Sequence, residues 1–185
     1  MSDSWLITGG ARSGKSAYAE ELCAGSTNVL FIATGVAFDE EMRIRIERHR
    51  QARPQDWTIL ERHNEFADIE KEFDEGLFDT VVLDCVGNLL MGVLFEEVPD
   101  PDDFMTEDFD QVEKLAIAEV DALCDFAKKR NTRLIFVTNE IGMGVIPVTS
   151  YTRHYRDTLG RINKHVAAVS DNVVLMVAGI PVKLK

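Results

Sequence analysis

The chain has 185 residues, of which 45% are hydrophobic and 28% charged, and its net charge is −12. These values are typical of one globular domain with a substantial core, so we predict a single domain over residues 1–185. The acidic balance argues against a nucleic-acid partner, because phosphate backbones attract a positive field, and no apolar run approaches the ~20 residues of a membrane span.

The predicted elements alternate along the chain between short apolar runs and helical patterns, which indicates βαβ units and an α/β fold with a mainly parallel sheet. Strands are expected at residues 5–8, 29–34, 80–83, 134–138 and 173–177, with a weaker strand at 57–60 and a C-terminal hairpin strand within 179–185. Helices are expected at residues 15–24, 39–53, 65–75, 109–130 and 151–169. Residues 96–111, dense in acids and prolines, predict an exposed connector, with a mobile lid as the alternative.

A phosphate-binding motif follows the first strand. The stretch GGARSGKS fits G-x-x-x-x-G-K-[ST], with Gly9, Gly14, Lys15 and Ser16 at the fixed positions. The glycines allow backbone N–H groups to surround phosphate oxygens, Lys15 is expected to bridge the β- and γ-phosphates, and Ser16 to ligate Mg²⁺. We therefore predict a nucleotide site that includes Gly9, Gly10, Ala11, Arg12, Ser13, Gly14, Lys15 and Ser16, against the alternative of a glycine-rich turn that matches by chance.

A second metal ligand is expected where FDTVVLDC places an acid at the end of an apolar strand. Asp84 at that end is predicted to hold Mg²⁺ together with Ser16, directly or through water. Strands that end in Asp are common, and it is the phosphate motif that makes this assignment specific.

A basic segment stands out in this acidic chain. RIRIERHRQARP, residues 43–54, contains five arginines around His49. On a helix, His49 faces the protein body with Arg45 and Arg53 one turn to either side. Nearby cations disfavour the imidazolium, and a neutral imidazole keeps the lone pair of a nucleophile. The pattern favours phosphate binding or attack on an α-phosphate, without deciding between them, and the alternative is a histidine packed on an amphipathic helix.

Several motifs together resemble one family. GGARSGKS, FIATG, RIERHRQARPQDW, VTNEIGMGVIP, RHYRDTLGRINKHVA and VAGIPVKLK occur in the order seen in the bifunctional adenosylcobinamide kinase / adenosylcobinamide-phosphate guanylyltransferases of cobalamin biosynthesis. The resemblance covers essentially the whole chain. It implies a three-layer P-loop NTPase fold of the RecA-like type, with a mainly parallel central sheet and a C-terminal hairpin.

The resemblance implies two reactions that use Mg²⁺ and GTP, with ATP as a further possible donor. A nucleoside triphosphate phosphorylates adenosylcobinamide, and GMP from GTP then passes through a covalent guanylyl-histidine, which falls on His49, to give adenosylcobinamide-GDP. Lys15 is the second expected catalytic residue. The resemblance also implies a homotrimer with sites between subunits, and the protein is expected to be cytoplasmic. The three cysteines, which form no CxxC pair, agree with a reducing compartment.

Further site residues are carried over by the same resemblance. Contacts to the guanine nucleotide are implied for Thr34, Gly35, Val36, Arg50, Gln51, Ala52, Arg53 and Glu61. Asn139 and Glu140 are expected at the ligand-binding edge of the sheet, and Arg153, Arg156, Asp157 and Asn163 to contact substrate or a neighbouring subunit. His63, His154 and His165 lack the arginine setting and are expected to be structural or superficial.

One stretch departs from the family pattern. DCVGNLLMGVLFEE lacks the Thr-rich sequence that usually follows the acid in the family. This departure keeps open a guanylyltransferase that has lost its kinase half. A GTP-dependent switch protein without covalent chemistry, and a kinase without a covalent intermediate, are the remaining alternatives.

Overall fold

Seven strands form one central sheet in the order β3-β2-β4-β5-β1-β6-β7. The structure is a computed structural model that describes residues 3–36, 40–41, 43–44, 47, 50, 54–73, 77–98 and 105–185. The strands are β1 Ser4–Gly9, β2 Val29–Ala33, β3 Thr58–Glu61, β4 Thr80–Asp84, β5 Arg133–Val137, β6 Asn172–Val177 and β7 Ile180–Lys183. All neighbours pair in parallel except β6 and β7, which form the antiparallel C-terminal hairpin. Every predicted strand is confirmed, to within a residue or two at the ends.

The central strands of the sheet are covered on both faces, which explains why they are almost unbroken apolar runs. Successive residues of one strand point to opposite faces, so Leu6 belongs to one buried cluster and Ile7 to the other. The larger cluster packs three long helices and the smaller one packs the helix after β1. The predicted three-layer α/β architecture is confirmed.

The helices whose bounds lie in the described residues are α1 Lys15–Leu22, α2 Ile69–Glu72, α3 Val86–Glu97, α4 Thr106–Arg130 and α5 Ser150–Val169. A 3₁₀ turn, Phe66–Asp68, precedes α2, so the helix predicted at residues 65–75 is shorter and less regular than expected. Most of the helix predicted at 39–53 lies outside the described residues; those described between 40 and 50 are helical. Within the described part of the chain, no helix combines the length and apolar character needed to cross a membrane.

Helix α3 was not predicted, and its presence corrects the expected connector at residues 96–111. The helix is apolar on nearly all sides because it packs with α4 and α5 in the larger buried cluster, so the 3.6-residue periodicity of a surface helix is missing. Glu96 and Glu97 form its end, and the acids after Met105 form the first turns of α4. The backbone N–H of Met105 donates to Asp108 Oδ2 at 2.7 Å, so this acid caps a helix. Residues 99–104 lie outside the described part.

Helices α3 and α5 run antiparallel beyond the carboxyl edge of the sheet. The Tyr155 hydroxyl donates to the carbonyl of Gly87 at 3.0 Å, and the Tyr151 hydroxyl reaches Met91 Sδ at 3.8 Å. Asn163, thirteen residues after the start of α5, contacts Thr138 just past the end of β5. At 1.5 Å per residue, about 20 Å of α5 therefore rises above that edge. The helices form a wall beside the strand ends, where ligands of α/β folds bind.

Candidate nucleotide site

The phosphate motif forms a tight loop between β1 and α1. Gly9 and Gly14 have φ values of 148° and 97°, which lie in the region that favours glycine. Lys15, only 8% exposed, donates from Nζ to the carbonyl of Gly10 at 2.6 Å, so its ammonium group is folded over the loop. The buried Ser13 Oγ has no hydrogen-bond partner among the described residues, as expected of a group that a bound phosphate would engage. The strand, loop and helix thus have the order that binds a triphosphate.

The C-terminal hairpin supports this loop. The backbone N–H of Gly179, in the turn between β6 and β7, donates to the carbonyl of Ser13 at 3.0 Å. A Cβ atom on Gly14 would lie 3.3 Å from the Cα of Gly179. The turn therefore packs directly under the loop and restrains its backbone.

Gly9→Ala is expected to destabilise the protein and to weaken GTP binding, whereas Gly10→Ala is expected to leave stability nearly unchanged. A Cβ on Gly9 would lie 2.6 Å from the Met176 carbonyl oxygen and 2.8 Å from Ser13 Oγ, whereas one on Gly10 meets nothing within 4 Å. Overpacking of this kind costs about 1–3 kcal/mol. Denaturant unfolding of the two variants measures the difference, and equal stabilities would contradict the close approach.

The side chains of Ser16, in α1, and Asp84, at the end of β4, contact each other although β5 lies between β4 and β1 in the sheet. Ser16 Oγ donates to Asp84 Oδ2 at 2.9 Å, and Asp84 is the last residue of β4, as predicted. A hydroxyl beside a carboxylate suits Mg²⁺, which takes oxygen ligands and keeps part of its coordination for water and substrate phosphates. The described residues contain no group of three or more His, Cys, Asp or Glu side chains that would hold a metal alone. The chemistry of this pair therefore fits a Mg²⁺ ion shared with a nucleotide.

Residues Thr34 to Val36 follow β2 beside this pair. The side chain of Thr34 is buried, and its hydroxyl is bonded to the backbone of Cys85 rather than turned to solvent. Gly35 and Val36 are half-buried. The Cys85 thiol is not a nucleophile near neutral pH, because burial, together with Asp84, raises its pKa to about 12.

The basic segment is described only in part. Arg50 Nε lies 3.8 Å from Glu61 Oε1, and Glu61 ends β3 at the carboxyl edge, with β2, β4 and β5 between it and β1. The structure thus places two of the predicted guanine-nucleotide residues together at that edge. His49, Gln51, Ala52 and Arg53 lie outside the described residues.

The segment that follows β5 is hydrogen-bonded to Asn163 of α5. Thr138 Oγ1 donates to Asn163 Oδ1 at 2.7 Å, and Asn163 Nδ2 donates to the carbonyl of Asn139 at 3.1 Å. The backbone N–H of Glu140 donates to the carbonyl of Gly9 at 3.0 Å, which joins this segment to the phosphate loop. The amide of Asn163 thus has partners inside the protein, and its predicted contact with substrate or a neighbouring subunit stays a prediction.

Two of the other predicted residues of α5, Arg156 and Asp157, border an open groove against residues 142–146. Arg153 donates to the carbonyls of Pro147 and Val148, and Arg156 pairs with Asp157 at 2.9 Å. Arg153 instead fixes the start of the helix.

The three remaining histidines have structural partners, as predicted. His63 Nε2 lies 2.9 Å from Glu96 Oε1, and His165 Nε2 lies 2.7 Å from Asp121 Oδ1. The ring of His154 stacks on Phe109 at 5.5 Å. None of these contacts places a histidine at the phosphate loop.

Comparison with known proteins gives a consistent result along the chain. The model of the family described as cobinamide kinase / cobinamide phosphate guanyltransferase matches residues 5–184. The bifunctional adenosylcobalamin biosynthesis protein CobU of Escherichia coli (strain K12) is 40% identical over 182 residues, which cover 97% of this chain and 98% of that protein. CobU of Salmonella typhimurium is 38% identical over 97% of this chain and 98% of its own length. CobP of Pseudomonas aeruginosa is 36% identical over 97% of this chain and 96% of its own length.

Proposed function

The chain belongs to the cobinamide kinase / cobinamide phosphate guanyltransferase family, and from this premise we propose that it carries out both reactions in cobalamin biosynthesis. It phosphorylates adenosylcobinamide with ATP or GTP, and it then transfers GMP from GTP to give adenosylcobinamide-GDP. The observation that carries the proposal is the grouping of Lys15, Ser16 and Asp84 at one phosphate loop, within a family match over nearly the whole chain.

In the proposed kinase reaction, the hydroxyl of adenosylcobinamide attacks the γ-phosphorus and the bond to the β,γ-bridging oxygen breaks. Lys15 compensates the charge that develops on the phosphate oxygens, and the loop N–H groups hold the triphosphate in line. Ser16 and Asp84 would hold Mg²⁺, which supplies charge neutralisation between the β- and γ-phosphates. The intact contact between Ser16 and Asp84 supports a functional kinase half despite the unusual DCVGNLLMG sequence.

In the proposed transfer reaction, an imidazole nitrogen of His49 attacks the α-phosphorus of GTP. The bond to the α,β-bridging oxygen breaks, pyrophosphate leaves, and GMP remains on the histidine. A phosphate oxygen of adenosylcobinamide phosphate then attacks the same phosphorus, breaks the P–N bond and restores the free histidine. The support is the position of His49 within RIERHRQARP and the location of its sequence neighbour Arg50 at the carboxyl edge.

We further propose that the protein works as a cytoplasmic homotrimer. An exposed apolar segment supports association, because five large apolar side chains within eight residues are far more than an isolated surface usually shows. They belong to the segment beside the phosphate loop and are Ile141, Met143, Val145, Ile146 and Val148.

Separate assays of the two half-reactions test the proposed function. Adenosylcobinamide with Mg²⁺ and ATP or GTP should yield the phosphate, and adenosylcobinamide phosphate with GTP should yield the GDP derivative and pyrophosphate. Asp84→Asn is expected to reduce the first product strongly. Formation of only the second product would support the guanylyltransferase that has lost its kinase half. A protein that binds GTP and forms neither product would refute the proposal and favour the switch.

A further inference from the structure

We propose that Thr34 is a positioning residue whose hydroxyl fixes the turn after β4 and thereby holds the Asp84 carboxylate against Ser16. The inference rests on the proposed function for its purpose, since it concerns the predicted Mg²⁺ ligands. It gives the Thr34 hydroxyl a role in addition to the nucleotide contact that the family resemblance implies.

The hydroxyl of Thr34 both donates and accepts a hydrogen bond inside the protein. Thr34 is 1% exposed, its Oγ1 donates to the carbonyl of Cys85 at 2.7 Å, and the backbone N–H of Cys85 donates back to Oγ1 at 2.8 Å. The backbone N–H of Thr34 also donates to the carbonyl of Asp84 at 3.2 Å. The single hydroxyl proton already has an acceptor, so the side chain has no donor left for a nucleotide.

These bonds involve the backbone of Asp84, a proposed metal ligand, and of the next residue, Cys85. Asp84 is the last residue of β4, and Cys85 precedes the first residue of α3. The three bonds therefore fix the peptide group between Asp84 and Cys85 and the carbonyl of Cys85. The Asp84 side chain, which is attached next to this peptide group, accepts the bond from Ser16 at 2.9 Å. Partners that orient a metal ligand typically change metal affinity by about 10–100-fold when they are removed.

Replacement of the hydroxyl by a methyl group leaves the Cys85 N–H without this acceptor. A buried donor that loses its acceptor is costly, so the turn is expected to shift until water or another group satisfies it. Such a shift moves Asp84 relative to the phosphate loop. Thr34→Ser keeps the oxygen and is expected to keep the turn.

The test compares Thr34→Val, Thr34→Ser and a matched control, Thr132→Val. Thr132 is also 1% exposed and donates to a backbone carbonyl, that of Phe78 at 3.1 Å, but it precedes β5 at the opposite edge of the sheet. The readout is the Mg²⁺ concentration that half-saturates binding of a fluorescent GTP analogue, with thermal unfolding measured in parallel. Thr34→Val should raise that concentration about tenfold or more. Thr34→Ser and Thr132→Val should leave it near the wild-type value.

Two results would overturn the proposal. One is a Thr34→Val protein whose Mg²⁺ requirement changes no more than that of Thr132→Val at similar loss of thermal stability. The other, decisive even if Thr34→Val does not fold, is a Thr34→Ser protein with a strongly raised Mg²⁺ requirement, because the hydroxyl would then not be responsible. Binding is measured without catalysis, so a protein that transfers neither phosphoryl nor guanylyl groups would refute the proposed function and still decide this inference.

Discussion

Lys15→Ala is expected to lower kcat/KM of the kinase reaction by about 10²–10³-fold, the effect of removing one preorganised group that stabilises transition-state charge. Lys15 lies almost buried at the start of α1, with its ammonium group over the phosphate loop. Phosphoryl transfer requires little covalent help from the protein, so positioning and charge compensation account for most of the acceleration. GTP binding should weaken as well, and steady-state kinetics with adenosylcobinamide measures the loss.

A matched variant separates this effect from a general loss of positive charge. Lys114→Ala removes an exposed lysine from α4 and is expected to leave both half-reactions unchanged. Circular dichroism should show that Lys15→Ala keeps its fold. A Lys15→Ala enzyme with near wild-type kcat/KM would contradict the assignment of the phosphate loop as the kinase site.

His49→Asn is expected to abolish guanylyl transfer and to leave phosphorylation of adenosylcobinamide intact. Removal of a covalent nucleophile typically costs about 10⁴-fold or more in rate, because the alternative direct path lacks the intermediate. The kinase reaction needs no nucleophile from the protein, since the substrate hydroxyl attacks. The predicted outcome is therefore a split between the two reactions, measured by separate formation of the phosphate and of the GDP derivative.

The control for this split is His165→Asn. His165 pairs with Asp121 between α5 and α4, on partly exposed side chains, and such pairs contribute little to stability. Both reactions are expected to continue in this variant. A His49→Asn protein that forms adenosylcobinamide-GDP at the wild-type rate would contradict the covalent mechanism and favour direct transfer.

The centre of the sheet was predictable because its strands are buried on both faces, unlike the edge strands β3 and β7. Runs such as VLFIA in β2 and TVVLD in β4 leave no alternative to a covered strand, and the intervening helical patterns require parallel pairing. The phosphate loop was predictable for a different reason. The backbone geometry of the loop requires glycine at fixed positions. At Gly9, for example, φ is positive and the carbonyl oxygen of Met176 leaves no room for a Cβ atom.

Helix α3 was missed because burial on all sides removes the periodicity that identifies a surface helix. Gly87 and Gly92 lower its apparent propensity, yet both are needed by close neighbours. The Tyr155 hydroxyl lies 3.3 Å from where a Cβ of Gly87 would be, and the His63 ring occupies the place of a Cβ on Gly92. These contacts join residues far apart in the chain, so local sequence patterns do not reveal them.

The internal hydrogen bonds of Thr34 and Asn163 were likewise beyond prediction. Each makes bonds to a strand end that lies 51 or 24–25 residues away in the chain, which local sequence patterns do not reveal. The family resemblance assigned both to ligand or subunit contacts. The structure shows their polar groups bonded to the turns that carry Asp84 and Glu140, which indicates that part of the family motif serves the scaffold of the site.

The measurement that tests the central claim most directly is intact-mass analysis of the protein after incubation with Mg²⁺ and GTP, at a pH that preserves an acid-labile phosphoramidate. His49→Asn is treated in parallel. The account predicts one GMP bound covalently per wild-type chain, with release of pyrophosphate, and no adduct on the variant. A wild-type protein that binds GTP without forming the adduct, or an equal adduct on His49→Asn, would contradict it.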